Sequence, residues 1–191
     1  MPLRDAVIAT FALPAVLLAS AAYAGPKEDM LAVSKKFLAA RSYHVTMINS
    51  DKRVPKTEMD FAAPDRYRMQ TPVGTQYVIG DTMHMTIDGR TMRIPMPKGM
   101  MTQWRESSRA FREVEKLQVE DLGSEAVDGK PAKKYRFSQP GPPATTTLLW
   151  VGSDGYPVKM ETTGGAGKRA NTVTVIYSRF NDPSIKIDVP R

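Results

Sequence analysis

Met83, His84 and Met85 stand side by side in GDTMHMTIDGRTMRIPMP (Gly80–Pro97), and Met92 and Met96 follow in the same stretch. Thioethers and imidazole together make a soft ligand set for Cu(I). Thioethers alone also make an adaptable apolar surface that repacks around variable partners such as acyl chains. A third use is ordinary core. Strand geometry separates these readings. Asp88-Gly89 predicts a two-residue type I′ turn, which sets Ile87 opposite Arg90. Counting outward, Met85 faces Met92, Met83 faces Ile94, Thr86 faces Thr91 and His84 faces Arg93. Neighbouring residues of a strand point to opposite faces, so His84 cannot share a site with Met83 and Met85. A guanidinium opposite the imidazole also repels a bound cation. His84 is therefore expected as a solvated face residue with no metal. Cu(I) binding through Met83, Met85, Met92 and Met96 stays open as an alternative.

Other chemistry is thinly represented. The chain has no cysteine, which excludes disulfides, zinc–thiolate sites, a cysteine nucleophile and a lipidated cysteine. There is no Gly-x-Ser-x-Gly elbow, phosphate loop or HExxH, and His44 and His84 give no triad signal. Acid pairs such as Glu58/Asp60 and Glu120/Asp121 arise freely on an alternating polar face. The expectation is a protein that is not an enzyme and needs no cofactor.

Residues 1–24 read as a secretory signal peptide. Arg4 precedes the apolar run Ala6–Ala19, and Ala22-Tyr23-Ala24 supplies the small-x-small pattern for cleavage after Ala24. The apolar run is shorter than the ~20 residues that span a bilayer. Residues 25–191 are expected to form one domain with its own core, exported to the periplasm. The net charge of +7 and pI near 9.6 would suggest nucleic acid inside a cell. For an exported chain they point instead to anionic envelope surfaces, or to simple solubility, and no nucleic acid is expected as a partner.

Two helices frame the remainder. In Lys27–Ala40, helical spacing selects Met30, Leu31, Ser34, Phe37, Leu38 and Arg41 as one face. Between Met101 and Leu117, Trp104, Phe111, Val114 and Leu117 recur at helical steps. Nearly everything else alternates with period two, from SYHVTMINS (Ser42–Ser50) to SIKIDV (Ser184–Val189), giving about 10–11 short strands punctuated by Asp-Gly and Gly-Gly turns. This predicts an α+β fold: a strongly curved, mostly antiparallel β half-barrel whose N-terminal and inserted helices cover a concave apolar face. Met59 and Phe61, Tyr67 and Met69, Tyr77 and Ile79, Met83 and Met85, and Met92 and Ile94 are the candidates to line that face. Trp104 and Phe111 would cover its mouth. Arg66, Arg68 and Arg93 are candidates to meet anionic headgroups. The same alternation also fits a filled core.

Four stretches carry a resemblance to a known family. MLAVSKKFLAARSYHVTM (Met30–Met47), FAAPDRYRMQTP (Phe61–Pro72) and VEDLGSEAVDGKPAKKYRF (Val119–Phe137) occur in order, followed by LLWVGSDGYPVKMET (Leu148–Thr162) with VTVIYSRFNDPSIKIDVP (Val173–Pro190). Together they resemble the LolA/LolB lipoprotein-localisation fold and the related LppX/LprG-type lipid carriers. The resemblance implies an unclosed half-barrel, lidded by helices, that binds lipid or lipoprotein acyl chains as a periplasmic monomer, with transient envelope proteins as further partners. Two departures bear on cargo. Ala63 stands where lipoprotein carriers of the LolA kind often have an arginine, and no cysteine is present for a lipid anchor. A non-enzymatic envelope interaction or regulatory module on the same fold is the alternative.

Overall fold

The structure is a computed structural model that describes residues 25–72, 74–87, 90–97, 118–139, 145–164 and 170–188. The expected signal peptide lies outside these residues, as does the second helix with Trp104 and Phe111.

The chain opens with α1 (Pro26–Leu38). Proline in the first turn, Glu28 and Asp29 beside it, and Lys35 and Lys36 in the last turn all suit the helix dipole. Its buried face is Met30, Val33, Ser34 and Phe37. Leu31 and Leu38 are exposed, so the apolar stripe is centred on Val33 rather than spread over both leucines.

Eleven strands follow. They are β1 (Ser42–Asn49), β2 (Thr57–Ala62), β3 (Arg66–Thr71), β4 (Gly74–Ile79), β5 (Thr82–Ile87), β6 (Arg90–Pro95), β7 (Gln118–Val127), β8 (Lys130–Gln139), β9 (Thr145–Gly152), β10 (Pro157–Gly164) and β11 (Asn171–Ser178). They form one antiparallel sheet in the order β6-β5-β4-β3-β2-β1-β11-β10-β9-β8-β7. The first and last strands meet at its centre. β6 and β7 are its edges and do not pair with each other, so this is a curved, open half-barrel.

Two elements differ from the expectation. β7 is mostly exposed, and a bulge between Asp121 and Ser124, with Gly123 at φ +83°, breaks its alternation. SIKIDV does alternate, and Ile185 and Ile187 are buried, but the segment joins no ladder. It is fixed to the outer face instead. Asn181 N donates to Ser42 O at 2.8 Å, Ser42 Oγ to Asp182 O at 3.0 Å, and Arg66 Nη1 to Ile187 O at 2.7 Å.

The core lies between α1 and the sheet's inner face. Phe37 packs on Tyr43 with ring centroids 5.1 Å apart, and the contacts continue through Tyr43–Phe61 (4.8 Å) and Phe61–Tyr67 (5.2 Å). Phe37 also meets Tyr177 edge-on at 5.6 Å. At the other end of α1, the Tyr135 hydroxyl donates to Asp29 Oδ2 at 2.6 Å, tying helix to sheet.

Candidate functional site, a methionine-lined inner face

The pairing register assigns each strand residue to a face. One inner row runs Ile94, Met83, Val78, Tyr67, Phe61, Tyr43 from β6 to β1. The next runs Met92, Met85, Gln76, Met69, Met59, Val45 and then Tyr177 of β11. A third contains Met47, Val175, Met160 and Leu149. Met30 comes down from α1, and Met96 joins the same core after β6. All nine methionines among the described residues, of twelve in the chain, thus lie on the inner side.

Coverage is graded along this surface. Phe61, Tyr67, Met69 and Val78 are buried by the chain's own packing. Met59, Met83 and Met85 are half-buried. On the edge strand, Met92 is 45 % and Ile94 42 % exposed. Among the described residues, the least covered apolar surface on this face is therefore the β5–β6 hairpin.

The hairpin register is the one that Asp88-Gly89 predicts, with Met85 opposite Met92, Met83 opposite Ile94 and His84 opposite Arg93. Tyr77 and Ile79 fall elsewhere. They pair with Arg68 and Arg66 on the outer face, and Val78 takes the inner position between Tyr67 and Met83. Three consecutive bulky residues conceal the phase of β4, and only the pairing resolves it.

Arg66, Arg68 and Arg93 also lie on the outer face, away from the methionines. Arg66 serves the C-terminal segment, and Arg68 Nε donates to Asp60 Oδ2 at 3.0 Å. Arg93 is exposed on the edge strand β6, on the face opposite its neighbours Met92 and Ile94. The outer row His44, Asp60, Arg68, Tyr77, His84, Arg93 crosses six strands. His84 is only 5 % exposed, and its Nδ1 has no hydrogen-bond partner among the described residues. This corrects the expectation of a solvated histidine: Tyr77 and Arg93 flank it, and side chains of that length can shield an imidazole from water.

Asp60 is the anchor of that row. Burial alone would raise its carboxyl, but the hydrogen bonds from His44 (2.8 Å) and Arg68 outweigh it and hold the group below its ordinary range. The sign follows from linkage: a depressed folded-state value contributes stability above the ordinary carboxylate range, and that contribution is lost as pH falls through the folded value. Asp60→Asn is expected to cost about 1–3 kcal/mol at neutral pH, because two donors lose a charged acceptor. The gap to the parent protein should narrow below about pH 4. Urea unfolding of both proteins across that range measures it, and a gap that does not change with pH would refute the ion-pair role.

A cleft of about 430 Å³ lies on the other arm, between α1 and β7–β9. Val33, Ala132 and Val151 supply apolar lining, and Asp29, Lys36 and Lys133 are its charged residues. None of the ten candidate lining residues among those described borders it. Sequence reasoning missed this cleft because its walls come from a helix and an exposed edge strand whose docking no local pattern encodes. On the outer face of that arm, Trp150 is sandwiched between Lys134 and Lys159 at 4.8 and 4.5 Å. Glu125 and Glu161 neutralise the two lysines, so the stack is a closed structural unit. Among the described residues, no three acidic or histidine side chains converge as a metal site.

No family model matches the chain, and no curated protein sequence matches it. Solved structures do. The lipoprotein LppX of Mycobacterium tuberculosis superposes with a TM-score of 0.64 at 15 % identity, covering 85 % of this chain and 97 % of that one. LprF of Mycobacterium bovis gives 0.63 at 16 % identity, over 86 % and 96 %. A LolA superfamily protein of Nitrosomonas europaea aligns over 87 % of this chain and 96 % of its own at 12 % identity, with a TM-score of 0.33, too loose to carry an argument. The chain has the fold of LppX and LprF.

Proposed function

We propose, from the fold shared with LppX and LprF, that the protein is an exported carrier that holds lipid or lipoprotein acyl chains against its methionine-lined inner face. The observation that carries this is the segregation of every described methionine to one side of the sheet, together with the incomplete covering of those on β5 and β6. A fold that needed only a core would bury these side chains or replace them at the edge. Unbranched thioethers instead adapt to a partner of variable shape.

The energetics suit carriage. An acyl chain gains about 0.8 kcal/mol per buried methylene, so a chain of ~16 carbons gains on the order of 10 kcal/mol. Transfer from the carrier to a membrane exchanges one apolar surface for another and needs no chemical step. Binding therefore requires no catalytic group.

Native mass spectrometry of protein purified from the cell envelope, with titration of a fluorescent fatty acid, tests the reading. Co-purifying lipid and saturable binding are expected. Protein that is free of lipid and does not bind the probe would overturn it.

A further inference from the structure

The β1–β2 connection, Ser50–Lys56, is firmly built and yet leaves an apolar side chain in water. Ser50 N donates to Thr172 O at 2.8 Å, Ser50 Oγ to Asn171 Oδ1 at 2.8 Å, and Thr172 N to Ser50 Oγ at 2.9 Å. Within the loop, Asp51 N donates to Asn49 Oδ1 at 2.8 Å, Arg53 N to Asp51 Oδ1 at 3.0 Å and Val54 N to Asp51 O at 2.9 Å. These bonds hold Val54 outward, 47 % exposed, among Lys52, Arg53 and Lys56. Ile48, on the strand leading into the loop, is 42 % exposed.

The loop carries Lys52, Arg53 and Lys56, all exposed, against Asp51 and Glu58. A local excess of cations favours approach to a negative surface. Arg53 is paired with Asp51 and Lys56 with Glu58, both on the surface. Exposed pairs of this kind are weak, and their cations can exchange to phosphate.

We propose that this loop docks the protein on an anionic bilayer, with Lys52, Arg53 and Lys56 at the phosphate layer and Val54 among the headgroups. The docking rests on the carrier reading for its purpose, since it would bring an apolar face to the source or sink of its cargo. Its test is independent. The mature protein is sedimented with vesicles of phosphatidylglycerol and phosphatidylcholine, or of phosphatidylcholine alone. Partitioning onto the anionic vesicles is expected to be at least about tenfold stronger and to weaken with salt. Lys52→Glu with Lys56→Glu, and separately Val54→Asp, should each reduce it about tenfold at unchanged melting temperature, with solution binding of the fluorescent fatty acid intact. Equal partitioning onto both vesicles, or variants that partition like the parent, would overturn the docking. Loss of fatty-acid binding in the parent alone would overturn the carrier reading and leave the docking standing.

Discussion

Replacing Met83 and Met92 together with aspartate is expected to raise the dissociation constant for a fluorescent fatty acid by a hundredfold or more, while the protein stays folded. The two side chains occupy adjacent inner rows of one hairpin, so both carboxylates would face the bound chain. An acyl chain cannot solvate a carboxylate, and burying one without a partner costs several kcal/mol, where 1.4 kcal/mol is a factor of ten. The fold tolerates the change because Met92 is exposed and Met83 only half-buried, so in the free protein the new charges reach water. Circular dichroism and the melting temperature check this. Leucine at the same positions should preserve fatty-acid binding, since it keeps the apolar surface, but it removes the thioethers that any Cu(I) site would need. The leucine pair thus separates lipid from metal. An aspartate pair that unfolds the protein would make the hairpin ordinary core. A folded pair that binds like the parent would place the cargo elsewhere, with the 430 Å³ cleft beside α1 the next place to look.

Much of this surface could be read before any coordinates, because the hairpin is governed by local rules. Asp88-Gly89 sets its register, and the register sets the faces of Met83, Met85, Met92 and Ile94. The same counting at Gly80-Asp81 places Ile79 opposite Thr82 and Val78 opposite Met83, which makes Val78 the inward residue. The phase of β4 was therefore recoverable from its turn but not from its composition. Other features depend on distant parts of the chain. β7 hides behind a bulge and an exposed edge, where packing imposes no alternation. Ile185 and Ile187 alternate like a strand, but Arg66 and Ser42 hold their segment where no ladder partner is free. Nothing near His84 in sequence signals that it is enclosed. Alternation places Arg66, Arg68 and Arg93 on the face opposite the methionines, but it does not say what they contact. What two of them meet, Asp60 for Arg68 and the Ile187 carbonyl for Arg66, is fixed by tertiary pairing.

Phe37→Ala is expected to cost about 3–5 kcal/mol, the range for truncating a buried phenylalanine. In a domain of this size that lowers the melting temperature by on the order of 10 °C. Phe37 touches Tyr43, Tyr177 and Phe180, so one ring joins α1 to β1, to β11 and to the segment after β11, where the sheet's first and last strands meet. Tyr177 is half-buried, and desolvation pushes its phenol above the usual range, so a cavity beside it would also disturb that hydroxyl. Leu38→Ala, one residue on, removes an exposed side chain and should change stability by less than about 0.5 kcal/mol. The contrast between neighbours tests the packing rather than helix propensity. It also bears on function, because α1 covers the central strands while leaving β5 and β6 partly bare. If Phe37 is what holds the helix down, its loss should increase binding of a hydrophobic dye at temperatures well below the melting transition, as inner apolar surface beneath α1 opens to solvent. A Phe37→Ala protein with the parent's melting temperature and dye binding would mean that α1 is held mainly by its polar contacts at Asp29 and Lys36.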